Sequence, residues 1–188
     1  MGRLSLHELH SERLVLVPFA DAHRALVVSL NSDPDVMRFI RGRAATPEET
    51  LAEWDVRTSA QTDEARGLGY WIGRVDGTFV GWWSASSFAD DASRSGLGYR
   101  LRRGAWGHGL ATEGARLLRD HAFATPGVET VVASTMAVNT ASRAVLEKIG
   151  LRHTDTWVRQ WDEPVDGWEQ GDVGYELTRG AWQDLTGT

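Results

Sequence analysis

The chain has 188 residues, a formal net charge of −6, no cysteine and nine tryptophans. That length suits one domain with its own core, and the missing cysteine excludes disulfides, thiolate metal sites and a cysteine nucleophile. The acidic balance argues against a nucleic-acid partner, no apolar run reaches the ~20 residues of a membrane span, and no HExxH-type histidine pair offers a metal site.

Nothing at the start reads as a signal segment, so a cytoplasmic location is expected. The segment Ser11–Phe19 alternates apolar and polar residues and predicts a strand. Asp21–Asn31 and Asp35–Ile40 read as helices interrupted at Pro34. Thr46–Pro47–Glu48–Glu49 opens a third helix, with Thr46 as cap, Pro47 at the first turn and Glu49 completing a capping box; it runs to about Ala60. Gly69–Val75 and Thr78–Phe88 flank Asp76–Gly77, a two-residue hairpin signal. Ser95–Arg103 is the next strand. Leu110–Ala124 is helical, with Ala111, Ala115, Leu118 and Ala122 on one apolar stripe. Glu129–Met136 is a strand, and Asn139–Ile149 a helix capped by Asn139 and stopped by Gly150. Strands at Thr154–Trp161 and Asp172–Thr178 complete an α/β order.

The segment Gly98–Glu113 (GYRLRRGAWGHGLATE) carries the chemistry. A strand ends in Arg102 and Arg103, glycines follow at 104, 107 and 109, and a helix begins. Such a turn frees backbone N–H groups to face phosphate oxygens at a helix N-terminus. Six arginines and a single acid, Glu113, lie between Arg94 and Arg119, so an anionic ligand fits. The loop lacks the GK[ST] of a P-loop, and Thr112 breaks a GxGxxG register begun at Gly107.

Gly98–Tyr99–x–Leu101 followed by Trp106–Gly107–His108–Gly109–Leu110–Ala111–Thr112–Glu113 resembles the acetyl-CoA loop of the GNAT N-acetyltransferases. Ser11–Glu12–Arg13–Leu14–x–Leu16–x–Pro18–Phe19, Asn139–x–x–Ser142 with Glu147–Lys148–x–Gly150–Leu151, and Asp172–Val173–x–x–Tyr175–x–Leu177 resemble further motifs of its ribosomal-protein N-terminal acetyltransferase-like branch. The resemblance spans residues 11–182. It implies one GNAT domain: a mixed, mostly antiparallel sheet with helices on both faces, splayed between its fourth and fifth strands, Leu97–Arg103 and Val131–Thr135.

The resemblance further implies acetyl-CoA as cosubstrate and no metal. Pantetheine would pair with Leu101 and Arg103, and the pyrophosphate would lie on the N–H groups from Gly104 through Leu110 and Ala111. Gly104 replaces the family's usual Gln or Arg, with Arg102 or Arg103 as substitute charges. Trp106 packs under the loop or touches the ligand, His108 is a phosphate neighbour, Thr112 lies in the first helical turn, and Glu113 favours its own helix terminus or pairs with Arg116. Asn139 reaches pantetheine or the acetyl end. Ser142 is the candidate catalytic group beside the sulfur, because Leu146 stands where many relatives place an acidic Tyr.

The expected reaction is direct attack of a primary amine on the thioester, with a backbone N–H of Val131–Thr135 holding the oxyanion. Gly96 and Leu97 occupy the place of the family's frequent Glu base, leaving Asp90, Asp91, Asp155, Glu169 and Asp172 as candidate bases. Between Asp155 and Glu176 stand seven acids and one arginine, with Trp157, Trp161 and Trp168 among them. Asp155, Trp157, Trp161 and Glu169, with Trp82 or Trp83 from the hairpin, form a candidate site for a cationic amine. A protein N-terminus, a polyamine-like metabolite or an aminoglycoside-like antibiotic all fit. Trp82 and Trp83 are adjacent on one strand, so only one can face the cleft. A longer donor such as succinyl-CoA, a CoA-binding sensor without turnover, and a homodimer remain open.

Overall fold

The computed structural model describes residues 6–161 and 163–187. Two short strands, β1 (Leu9–His10) and β2 (Val15–Pro18), precede three helices, α1 (Arg24–Asn31), α2 (Pro34–Met37) and α3 (Pro47–Ser59). Three strands follow, β3 (Gly69–Val75), β4 (Thr78–Ser87) and β5 (Arg94–Leu101). Next come α4 (Leu110–Ala124), β6 (Thr130–Met136), α5 (Thr140–Lys148), β7 (Arg152–Trp157), β8 (Asp172–Thr178) and α6 (Arg179–Thr186). All strands join one sheet in the order β1-β2-β3-β4-β5-β6-β8-β7, antiparallel except for β5 beside β6.

Local chemistry sets the boundaries. Thr46 and Glu49 form the expected capping box of α3. Pro34 begins a helix rather than interrupting one: it stands at the first turn of α2, and the Asp33 side chain accepts the Asp35 N–H. The β3–β4 turn puts Asp76 at φ 48° and Gly77 at φ 76°, as a tight hairpin demands. The first predicted strand shrinks to β2 because Ser11 turns back onto the Leu14 carbonyl. The strand predicted over Thr154–Trp161 is β7, which ends at Trp157. Sequence reading missed β1 and α6; Thr178 caps α6 as soon as β8 ends.

Each sheet face has its own core. Trp83, Trp71, Leu118, Val131 and Tyr175 pack with α4 and α5 on one face. Trp54, Ile72, Tyr70 and Trp82 pack with α1 and α3 on the other. Helix α4 approaches closely at Gly114, where a Cβ would stand 2.5 Å from Trp83 Nε1. That nitrogen donates to the Ala111 carbonyl at 3.3 Å.

The predicted splay is present. Strands β5 and β6 pair only over Arg94–Gly96 and Thr130–Val132, after which β6 continues with β8 alone. With β1 counted, these are the fifth and sixth strands. Among the described residues no helix is long and apolar enough to cross a membrane.

Candidate functional site

Antiparallel ladders alternate residues whose backbone groups bond the neighbour with residues whose groups point away. Arg102 donates to the Val80 carbonyl. Its parity therefore turns Arg100 and Gly98 toward β4, and turns Leu97, Tyr99 and Leu101 toward the split. On the facing strand, Ala137 donates to the Gly171 carbonyl. By the same count Ser134 and Met136 turn toward the split. Two strand edges thus face each other across a wedge, with the Leu101 and Met136 carbonyls taken by Trp106 and Asn139 and the backbone groups of Tyr99 and Ser134 turned into the opening, which suits an extended amide-containing chain.

The glycine loop closes the wide end. Gly107 and Gly109 adopt φ 75° and 78°, where side chains are strained, and a Cβ on Gly104 or Gly107 meets open space. Among the described residues, the N–H groups of Gly107, His108, Gly109, Leu110, Ala111 and Thr112 donate to no protein acceptor. Six free donors at the start of a 15-residue helix fit the pyrophosphate of coenzyme A. Trp106 donates its indole N–H to the Leu101 carbonyl at 2.9 Å, fixing the loop to the strand edge while its ring is 46% exposed.

Glu113 does not pair with Arg116. It accepts from Ser11 Oγ at 2.7 Å, from the Arg13 N–H at 2.8 Å and from Arg13 Nε at 2.8 Å, while Arg13 also donates to the His108 carbonyl. These bonds and burial act in opposite directions, and the bonds leave the carboxyl below its ordinary value. This clamp holds the loop from outside. Three of the six arginines of this segment are committed elsewhere. Arg103 pairs with Asp33 and Asp35, Arg100 is buried against Asn31, and Arg119 bonds the Ile149 carbonyl and Asp120. The Arg103 side chain is thus held by α2 and its N-cap, and Arg102 is exposed at the loop.

Ser142 lies beside the split in the first turn of α5. Asn139 caps that helix by accepting the Ser142 N–H, and its amide donates to Thr135 Oγ1 at 3.1 Å. Tyr99, on β5, places its hydroxyl 3.0 Å from Ser142 Oγ and 3.2 Å from the Ser142 carbonyl. Burial pushes the Tyr99 phenol up to about 12, so it stays a neutral hydroxyl throughout the physiological range. Leu146 is buried and carries no proton.

The opposite face of the split opens into a cleft of about 860 Å³. Its floor is paved by small residues: Ser84 and Ser86 of β4, Gly96 and Gly98 of β5, Ser134 of β6 and Gly174 of β8. Their size follows from register. A Cβ on Gly96 would stand 2.5 Å from Ser86 Oγ, and one on Gly98 would stand 2.9 Å from Ser84 Oγ. At Gly174 a Cβ would fall well under 3.0 Å from Asp155 Oδ1 and 3.1 Å from Trp157 Cζ3. Asp155 and Trp157 therefore lie over Gly174, which is paired to Ser134 at the split. A bulge between His153 and Asp155 shifts the register just before the carboxylate.

The family profile of the acetyltransferase (GNAT) domain matches residues 13–152. The chain belongs to the GNAT acetyltransferase family. It is 38% identical over 184 residues to the FsC-acetyl coenzyme A-N(2)-transacetylase of Aspergillus fumigatus, covering 93% of this chain and 77% of that protein. Its fold is that of a ribosomal L7/L12 alpha-N-protein acetyltransferase solved with coenzyme A, with a TM-score of 0.72, 17% identity, and 89% and 95% of the two chains covered. An aminoglycoside acetyltransferase solved with coenzyme A superposes with a TM-score of 0.74 at 16% identity, covering 93% and 99%. As a GNAT enzyme the protein is an acetyl-CoA-dependent N-acetyltransferase acting on amines.

In this acetyltransferase the acceptor residues expected from sequence separate. Asp155, Trp157 and Trp82 line the cleft. Trp83 faces the other way and is fully buried under α4. Trp161 and Glu169 lie outside the cleft; the Trp161 ring is covered by Arg159 at 3.7 Å. Trp82 is already stacked by Arg57 at 4.6 Å and Arg100 at 5.3 Å, so Trp157 alone offers the amine a ring without a resident arginine. Of the candidate bases, Asp91 holds the Ser93 turn, Asp172 pairs with Arg159 at 2.9 Å, and Asp90 and Glu169 stand away from the cleft. Asp162, counted among the acids, lies outside the described residues. Glu176, on the cleft wall, and Tyr99 are the additions sequence reading did not make.

Proposed function

We propose that the enzyme acetylates a primary amine held by Asp155 and Trp157 above Gly174, by direct attack on acetyl-CoA lying in the split between β5 and β6. The observation that carries this reading is the carboxylate laid over Gly174, one ladder position from Ser134. The other acids expected as bases are bound to turns or arginines or stand outside the cleft, and Glu176 is a second carboxylate on the cleft wall.

Each residue then has a physical task. Asp155 attracts the protonated amine and accepts its proton, directly or through one water, so that the nitrogen attacks as a neutral nucleophile. Trp157 presents its π face to the cation before that proton leaves. The Ser134 N–H, turned toward the split, stabilises the oxygen that becomes negative as the thioester carbonyl is attacked. The thiolate takes its proton from Ser142, hydrogen-bonded to the Tyr99 hydroxyl 3.0 Å away, and the proton that the nitrogen sheds as the amide forms returns to this pair through solvent, leaving both hydroxyls neutral. No acyl-enzyme is needed, in keeping with a chain that has no cysteine.

The test is thiol release from acetyl-CoA over a panel of amines, with the acetylated amine identified by mass spectrometry. Thiol release that depends on the amine supports the reading. Tight coenzyme A binding with no release on any amine contradicts it.

A further inference from the structure

The inference rests on the acceptor site just described and concerns its other end. There Arg57 of α3 and Arg41 of the loop before it meet Arg100 of β5. The three guanidiniums converge on one carboxylate: Glu53 accepts from Arg57 at 2.9 Å and Arg41 at 3.1 Å, with Arg100 at 3.6 Å. Glu49, the second partner of Arg41, is held more closely by Arg43, at 2.8 Å against 3.2 Å. Arg57 and Arg100 are nearly buried, with side chains 12% and 7% exposed. Arg41 Nε, Arg57 Nη1 and Arg100 Nε are buried without a hydrogen-bond partner. Collecting positive charge and unpaired donors this way costs stability unless an anion arrives to match them.

Two further features agree. Burial first, and then the neighbouring charge of Arg57, bring the Arg100 guanidinium down to about 10, with Glu53 acting against them. The neutral groups beside it suit an oxygen rather than a second ammonium. Tyr70 shares its hydroxyl with Gln61, and Ser84 and Ser86 line the floor below, while Trp82 is already stacked by Arg57 and Arg100. The far wall carries the opposite sign in Asp155 and Glu176. Strands β4 and β8 are three strand spacings apart, so the two poles are separated by roughly 14–15 Å along the sheet.

We propose that the acceptor is zwitterionic: its amine lies at Asp155, and an anionic oxygen group, a carboxylate or its equivalent, docks at Arg57 on the opposite end of the same cleft. Arg57 is then a specificity residue, and a polyamine is a poor acceptor because its second ammonium meets the guanidiniums.

The experiment compares 11-aminoundecanoate, its carboxamide and 1,11-diaminoundecane, chosen because an extended chain of that length spans about 14 Å, the separation of three strand spacings. Each is measured for kcat/KM in acetyl transfer and for binding to the coenzyme A complex by calorimetry. The wild type, Arg57→Gln and Arg57→Lys are compared. Taking ratios within each protein cancels any loss of folded enzyme. We expect the wild type to favour the carboxylate over the carboxamide at least tenfold and over the diamine by more. Arg57→Gln should bring the carboxylate-to-carboxamide ratio close to one, and Arg57→Lys should restore part of it. Equal use of carboxylate and carboxamide, a preference for the diamine, failure of all three to bind, or a ratio unchanged by Arg57→Gln overturns the proposal. Acetylation of all three without discrimination leaves the acetyltransferase reading standing. Discrimination in binding with no thiol release supports the anionic pole while contradicting the catalytic reading.

Discussion

Replacing Gly174 with alanine separates chemistry from folding. The backbone there is not in the left-handed region, so alanine is compatible with it and slightly restricts the unfolded chain, a gain of about 0.4–1 kcal/mol. The added Cβ, however, falls well under 3.0 Å from Asp155 Oδ1 and 3.1 Å from Thr154 Oγ1 and Trp157 Cζ3. Asp155 is an exposed side chain on an edge strand, so the carboxylate swings away at little cost to the fold. Ordinary contact requires it to retreat by about 1 Å, and a displacement of that size from a reacting position costs on the order of 10²-fold in rate. That loss corresponds to about 2.7 kcal/mol of transition-state stabilisation. The assay is initial-rate thiol release at saturating acetyl-CoA, alongside thermal unfolding and calorimetric coenzyme A affinity. We expect kcat/KM for the amine to fall about 10²-fold, with unfolding temperature and coenzyme A affinity near wild type. A Gly174→Ala enzyme of unchanged kcat/KM refutes the placement of Asp155 at the reacting centre.

Gly107→Val forces a β-branched residue into φ 75° within the donor loop and should weaken coenzyme A binding by tenfold or more in calorimetry. Ser142→Ala should lower kcat by about 10²-fold with little change in KM for acetyl-CoA, and Tyr99→Phe should lower it less, since it removes only the group behind Ser142. Because the Tyr99 phenol is raised to about 12 from an ordinary 10, its contribution to stability is complete below pH 10 and fades between about 10 and 12. Chemical denaturation across that window should show wild type losing stability faster than Tyr99→Phe.

The cofactor side was legible because its signal is local. Glycines at 104, 107 and 109 before an amphipathic helix specify a turn whatever the rest of the chain does. The strand split followed from the family pattern. The acceptor side was less legible because it depends on register. Whether Asp155 or Asp172 meets the cleft is set by a bulge in β7 and by a missing side chain on the neighbouring strand. Alternation predicted that one of Trp82 and Trp83 is turned away, and the packing of α4 on Trp83 decides which. The arginine count near the loop suggested phosphate charge. Partners outside the loop hold half of it, as the bonds of Arg103 to α2 and of Arg100 to α1 show. The Glu113 clamp joins residues about a hundred positions apart, which no local spacing reveals.

The pH dependence of kcat/KM for wild type and Asp155→Asn, read by thiol release with one amine, tests the central claim most directly. We expect kcat/KM to be about 10²-fold lower in the variant and to climb with hydroxide as free amine accumulates, while the wild type keeps its rate where the amine is still protonated. A variant that matches the wild-type rate across that range contradicts Asp155 as the base.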